Sequence, residues 1–184
     1  ADFFGIHVVR DRQAGTITIH QADKARALAD VAGVRGLQRT TPMTPAVFAE
    51  LKAAARGEPL ADIDEYRSLV GSLQHLATCT RPDIQLAVGA LAAYVSAPSQ
   101  THRAALLDLV AYVGCTAERG ITYGRSDEPL QIFCDANFAS CRDTRRSITG
   151  YAVVMYGGAV SWASKKQPTT AVSTMEAEYQ ACGA

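Results

Sequence analysis

The sequence lacks most of the features that would announce a function. It has no excess of charge: 18 Lys and Arg balance 18 Asp and Glu. No global field therefore draws the chain to nucleic acid or to an anionic membrane, and any nucleic-acid contact has to come from local basic clusters. There is no long apolar run either. The longest weakly polar stretch, Leu86 to Ala97, is too short to span a bilayer and suits a buried, Ala-rich helix. Five cysteines (Cys79, Cys115, Cys134, Cys141 and Cys182) are scattered, odd in number and without a Cys-x-x-Cys pair. That speaks against structural zinc and a disulfide framework, and for a reduced, intracellular chain. His7, His20, His75 and His102 stand apart, and no Ser-His-Asp order, phosphate loop or internal repeat is legible. Ala1-Asp2-Phe3-Phe4-Gly5 has no initiator Met and no signal peptide, and Glu178 to Ala184 stops inside a helical pattern, so both edges read as cut.

What is present is an ordinary globular composition, 48% apolar and 20% charged over 184 residues, enough for one large domain or two small ones with a real core. Phe3 to Arg10 and Thr16 to His20 read as strands around a hairpin-length loop, and Ala22 to Ala32 as a helix closed by Gly33. A breaker-rich connector, Thr40 to Pro45, leads to a polar stretch with a short helix in Val47 to Ala55. Three helices follow. Tyr66, Leu69, Val70, Leu73, Leu76 and Ala77 form one apolar stripe at helical spacing. The second helix opens at Pro82-Asp83, with Pro at the first turn and Asp at the positive helix end, turns Ile84, Val88, Leu91 and Val95 inward, and ends at Pro98. The third runs from about Thr101 to Gly120, with Leu106, Leu109, Val110 and Val113 inward. From Leu130 the period becomes two: Leu130 to Ala139, Ser147 to Tyr156 and Ala159 to Ser164 predict an antiparallel meander, with a helix beginning near Ser173. The fold class expected is mixed α/β.

Two carboxylates stand out. Asp135 lies in the apolar strand Ile132 to Phe138, where a charge is costly unless it is paired, exposed at an edge or bound to a metal. Taken alone, it reads more readily as a strand-end Asp bonded to nearby backbone. In Ser173-Thr174-Met175-Glu176-Ala177-Glu178, Ser173 and Glu176 have capping-box spacing. Glu178 falls roughly 200° further round the helix, on a face shared with Met175, Ala181 and Cys182, which predicts an inward carboxylate. Asp135 and Glu178 together would make a hard-oxygen site for Mg²⁺; a salt bridge from Glu178 to another residue is the competing reading. Arg142, Arg145, Arg146, Lys165 and Lys166, opposed only by Asp143, could grip phosphate oxygens or form a solvated turn surface.

A family resemblance joins these pieces. Tyr66-Arg67-Ser68-Leu69-Val70-Gly71-Ser72-Leu73 and Thr80-Arg81-Pro82-Asp83-Ile84 resemble the segment that follows the polymerase palm in copia-type retrotransposons. Phe3-Phe4-Gly5-Ile6 and Thr41-Pro42-Met43 resemble the stretch upstream of it. Asp135-Ala136-Asn137-Phe138-Ala139, Thr144-Arg145-Arg146-Ser147 with Gly150-Tyr151, Ser161-Trp162-Ala163-Ser164-Lys165-Lys166-Gln167 and Glu176-Ala177-Glu178-Tyr179 resemble its ribonuclease H region. The resemblance implies a fragment of the Pol polyprotein. Residues 1–125 would be the end of the palm, the thumb and the connection, and residues 128–184 the N-terminal half of a ribonuclease H-like domain, a truncated three-stranded meander plus helix.

In that setting Asp135 and Glu178 would be catalytic Mg²⁺ ligands for two-metal hydrolysis of the RNA strand of an RNA–DNA hybrid, with Glu176 the close competitor of Glu178. The basic residues would hold the hybrid. The partners would be primer–template nucleic acid and the rest of the polyprotein, without a membrane, in a cytoplasmic virus-like particle or the nucleus. Two departures bear on this. Asn137 stands where family members often carry Asp, and no Tyr-x-Asp-Asp motif occurs. By the same resemblance the nuclease's later carboxylates would lie beyond Ala184, so the fragment by itself is expected to have neither polymerase nor nuclease activity. A non-catalytic nucleic-acid-binding module and a structural remnant of a retroelement are the rivals.

Overall fold

The computed structural model describes residues 2–54, 57–137 and 146–183. At its start the chain doubles back: Phe4 and Gly5 take φ of 51° and 74°. The run from Phe3 to Arg10, expected as one strand, is thereby split into β1 (Asp2–Phe3) and β2 (Ile6–Asp11), paired antiparallel. The expected hairpin loop then leads into β3 (Thr16–His20). Gly15 closes that loop at φ 67°, a conformation that costs glycine little. The first sheet has the order β1-β2-β3-β4, where β4 is Gly120–Tyr123. Sequence periodicity gives no sign of β4, because the helix expected to reach Gly120 ends at Cys115. Gly120 permits the strand: a Cβ there would stand 2.1 Å from the Ile19 carbonyl oxygen.

The chain forms two units, Ala1–Val9 with Thr18–Gly120, and Arg10–Ile17 with Ile121–Ala184. The first contains α1 (Ala22–Val31), α2 (Pro45–Ala54), α3 (Asp64–Cys79), a 3₁₀ turn (Pro82–Ile84), α4 (Gln85–Ala92) and α5 (Gln100–Cys115). The buried residues of α3 are the six apolar residues of the predicted stripe. With Ile84, Val88, Leu91, Leu106, Leu109, Val110 and Val113 they form one continuous core. The second helix of this bundle is shorter than its pattern: α4 stops at Ala92, well before Pro98.

Asp83 does more here than favour a helix terminus. Both of its carboxylate oxygens accept from Arg81, at 2.8 Å each, and Oδ2 also accepts the Tyr112 hydroxyl at 2.8 Å. Arg81, nearly fully buried, further donates to the Thr116 carbonyl and hydroxyl, so the Thr80-Arg81-Pro82-Asp83 block fastens the entrance of α4 to the end of α5. Burial pushes the Asp83 carboxyl up, but the guanidinium and the hydroxyl outweigh it and hold the group below the ordinary carboxylate range.

The second unit carries β5 (Gln131–Asn137), β6 (Ile148–Met155) and β7 (Gly158–Lys166), an antiparallel meander in the order β5-β6-β7, followed by α6 (Thr174–Cys182). The β6–β7 turn uses Tyr156 at φ 55° and Gly157 at φ 76°. Apart from Ile121, the buried described residues of this unit are small or polar: Ser147, Thr149, Gly158, Gln167, Ala171, Ala177 and Ala181. The observed class is mixed α/β, with two antiparallel sheets and six α-helices among the described residues. No described helix is long and apolar enough to cross a membrane.

Candidate functional site

β5 carries Asp135 and α6 carries Glu178, and α6 packs on β5 and β6. The helix start is built as its sequence indicates. The Ser173 hydroxyl accepts the Glu176 N–H at 3.1 Å, and Glu176 reaches back to accept the Val172 N–H at 2.8 Å, so Glu176 is occupied in capping.

Glu178 departs from the expectation of an inward carboxylate. It is exposed, as are Met175 and Cys182, and the packed stripe of α6 is Ala177 and Ala181. Alanine gives a weak apolar signal but lets a helix sit close on a sheet, and Glu178 lies about 100° away from Ala177 round the helix. Asp135 is exposed too, with its strand neighbours Ile132 and Phe133, so the desolvation cost that singled it out does not arise.

The two carboxylates nevertheless share a neighbourhood. The Cys134 and Cys182 sulfurs lie 3.2 Å apart, which places β5 and α6 side by side at this point. The Cys134 thiol is pushed up, first by its hydrogen bond with Cys182, then by burial, and further by the charges of Cys182, Glu178 and Asp135. Both carboxylates are therefore within electrostatic reach of one sulfur, although strand alternation sends Asp135 from the opposite face of β5 to Cys134. Neither carboxylate has a hydrogen-bond or ion-pair partner among the described residues, so the competing salt bridge from Glu178 is not formed there.

The donor set suits a hard cation in kind. Mg²⁺ is commonly held by one or two carboxylates plus water and substrate phosphates. Among the described residues, no group of three or more His, Cys, Asp or Glu converges into a fuller cage.

The sequence reading missed the Cys134–Cys182 neighbours, 48 residues apart, and Gln167. Buried Gln167 donates through Nε2 to the Thr149 hydroxyl at 3.0 Å and to the Ala177 carbonyl at 2.9 Å, which ties the end of the sheet to α6 and so sets where Glu178 stands. Its signal was its place directly after Lys165-Lys166.

Of the five cations, Arg142 and Arg145 lie outside the described residues. Arg146 is exposed just before β6. Lys165 and Lys166 are exposed and stand within β7, not in a loop, opposite Thr149 and Ile148. Asn137 also pairs with Ile148 and Asp135 with Gly150, so these cations share the Asn137 end of the sheet. The Asp135 row lies two residues, roughly 7 Å, from the row of Lys166.

No family model and no solved structure matches the chain. The retrovirus-related Pol polyprotein from transposon TNT 1-94 of Nicotiana tabacum is 42% identical over 114 residues, which are 62% of this chain and 9% of that protein. The corresponding polyprotein from transposon RE2 of Arabidopsis thaliana is 34% identical over 179 residues, 97% of this chain and 12% of that protein. The secreted RxLR effector protein 161 of Plasmopara viticola is 40% identical over 117 residues, 63% of this chain and 82% of that protein. The chain spans about a tenth of the length of these polyproteins, and by this likeness along nearly its whole length it belongs to the copia-type, retrovirus-related Pol polyproteins of transposons.

Proposed function

We propose that, within a complete Pol polyprotein, this segment binds RNA–DNA hybrid and contributes two carboxylates, Asp135 and Glu178, to hydrolysis of the RNA strand by two-metal chemistry. One observation carries the reading. In a chain of this family, two exposed carboxylates without hydrogen-bond or ion-pair partners among the described residues stand on β5 and α6, which pack against one another. Asp135 and Glu178 would hold Mg²⁺, and the chemistry that the ion supplies when bound is activation of water and stabilisation of the leaving oxygen of a phosphodiester. Ser173, Glu176 and Gln167 fix the start and seat of α6, and so the place of Glu178. Arg146, Lys165 and Lys166, with Arg142 and Arg145, would take the backbone phosphates of the hybrid. The first unit would support primer–template, and the place of action would be intracellular, in a cytoplasmic particle or the nucleus.

The test is Asp135→Asn in the full polyprotein. Cleavage of the RNA strand should be lost while hybrid binding persists; cleavage at the unsubstituted rate would overturn the assignment.

A second reading, a non-catalytic nucleic-acid-binding or structural remnant, is favoured by one observation: the matched segment makes up 82% of the Plasmopara viticola effector protein. Hybrid binding by the chain that weakens with salt and is unchanged by Asp135→Ala with Glu178→Ala would support the binding module. Absence of both Mg²⁺ and hybrid binding would leave a structural role.

A further inference from the structure

The hairpin between β2 and β3 presents arginines that form no ion pair among the described residues. Arg10, Arg12 and Arg125 line one open pocket of about 420 Å³, together with Asp11, Gly15, Thr16 and Ile17. All of these residues belong to the second unit.

Arg10 lies in β2 and Arg12 in the turn that follows it, and both are exposed. Asp11, between them, is engaged by the backbone of the turn. Its Oδ1 accepts the Gln13 and Ala14 N–H groups at 2.8 and 2.9 Å. Arg125 comes in from the segment after β4, and a Cβ on Gly15 would stand 3.9 Å from its Nε. None of the three arginines forms an ion pair among the described residues, although Arg26, Arg35, Arg39, Arg67, Arg81 and Arg103 each reach a carboxylate.

In a chain of zero net charge, three exposed guanidiniums crowd one pocket against a single carboxylate. Their repulsion is offset when an anion binds, and the planar forks match phosphate oxygens. The pocket is open and mainly polar, with Ile17 its one large apolar residue and no aromatic ring on which a base could stack. The geometry points to a phosphate-binding site for a nucleic-acid backbone at Arg10, Arg12 and Arg125, separate from the cations at the Asn137 end of the second sheet. Such a site positions a duplex without reading its sequence. This inference rests on the nucleic-acid reading proposed for the whole segment.

The test is titration of the 184-residue chain with a fluorescent RNA–DNA hybrid over a range of salt. Replacing all three arginines by Gln should weaken binding roughly tenfold or more near 0.1 M salt, and flatten the plot of log affinity against log salt by about one unit per lost phosphate contact. The triple Lys variant should keep most of that salt slope while binding a few-fold less tightly. Arg12→Glu, in the exposed turn, provides the same test with one substitution should the Gln variant not fold. Unchanged affinity and slope in these variants, with loss confined to Arg146→Gln, Lys165→Gln and Lys166→Gln, would overturn this site and leave the nucleic-acid reading standing. A chain that binds no hybrid at all would overturn both.

Discussion

In the first unit Arg81 is buried against Asp83, and Arg26, Arg35, Arg39, Arg67 and Arg103 each face a carboxylate of their own unit. In the second, Arg10, Arg12 and Arg125 crowd one pocket, Asp135 and Glu178 have no partner among the described residues, and none of the ion pairs found there falls within the unit. The cores differ in the same sense. The continuous cluster of buried Leu, Val and Ile lies wholly in the first unit. Apart from Ile121, the second buries small and polar groups while leaving Ile132, Phe133, Met175 and Tyr179 exposed. A unit that pairs most of its described arginines with carboxylates and fills its own core is built to be stable. One that leaves charges of both signs facing outward suits the proposed role, in which it would receive a ligand with phosphates and a cation. Net charge hides this division, because each unit is itself near neutral: 10 Lys and Arg against 11 Asp and Glu in the first, 8 against 7 in the second.

The sharpest way to break the comparison is at Arg81. Arg81→Met strands Asp83 beside Tyr112 and should cost the first unit about 3 kcal/mol or more, read as a lower urea midpoint. If stability is unchanged, the pair is not what fastens α4 to α5. Next in size, Leu109→Ala empties a fully buried position and should cost about 3 kcal/mol, whereas Phe133→Ala in the second unit, 57% exposed, should cost under about 1 kcal/mol. Equal costs would erase the contrast between the cores.

The smallest effect concerns pH and is confined to the first unit, which holds all four histidines. Burial holds His102 below its ordinary 6.5, opposed by its bond to the Leu51 carbonyl; burial and the Lys24 charge do the same to His75. Both bind a proton less readily folded than unfolded. Their contribution is therefore complete above pH 6.5 and is lost as the pH falls below it, with Asp83 adding a second loss below its ordinary 3.8. Urea midpoints taken between about pH 7.5 and 5.5 should fall for the unsubstituted chain and fall less for His102→Gln. A flat profile would show that these rings are not held neutral by the fold.

Most of the first unit was legible, and little of the second unit's detail was. The α3 stripe has six apolar residues at helical spacing, and packing follows that spacing directly. Ser173 and Glu176 are equally plain, because a cap is a local hydrogen bond. The break after Phe3 was not legible, since it depends on a left-handed Phe4 that no propensity announces. The Asp83 partnership was missed because Tyr112 lies 29 residues away. At Glu178 the period was right and the stripe wrong: Met175 and Tyr179 look like core residues but are 81% and 82% exposed, while two alanines do the packing. The hairpin arginines gave no motif, because Arg125 joins Arg10 and Arg12 only in the folded chain.

The claim that the outward charges of the second unit serve hybrid cleavage is tested most directly by comparing its two neighbouring glutamates. In the full polyprotein, Mg²⁺-dependent cleavage of the RNA strand should fall at least a hundredfold in Glu178→Gln and stay within a few-fold of normal in Glu176→Gln, whose loss weakens only a cap. Cleavage that survives Glu178→Gln, or is lost only with Glu176→Gln, would contradict the account.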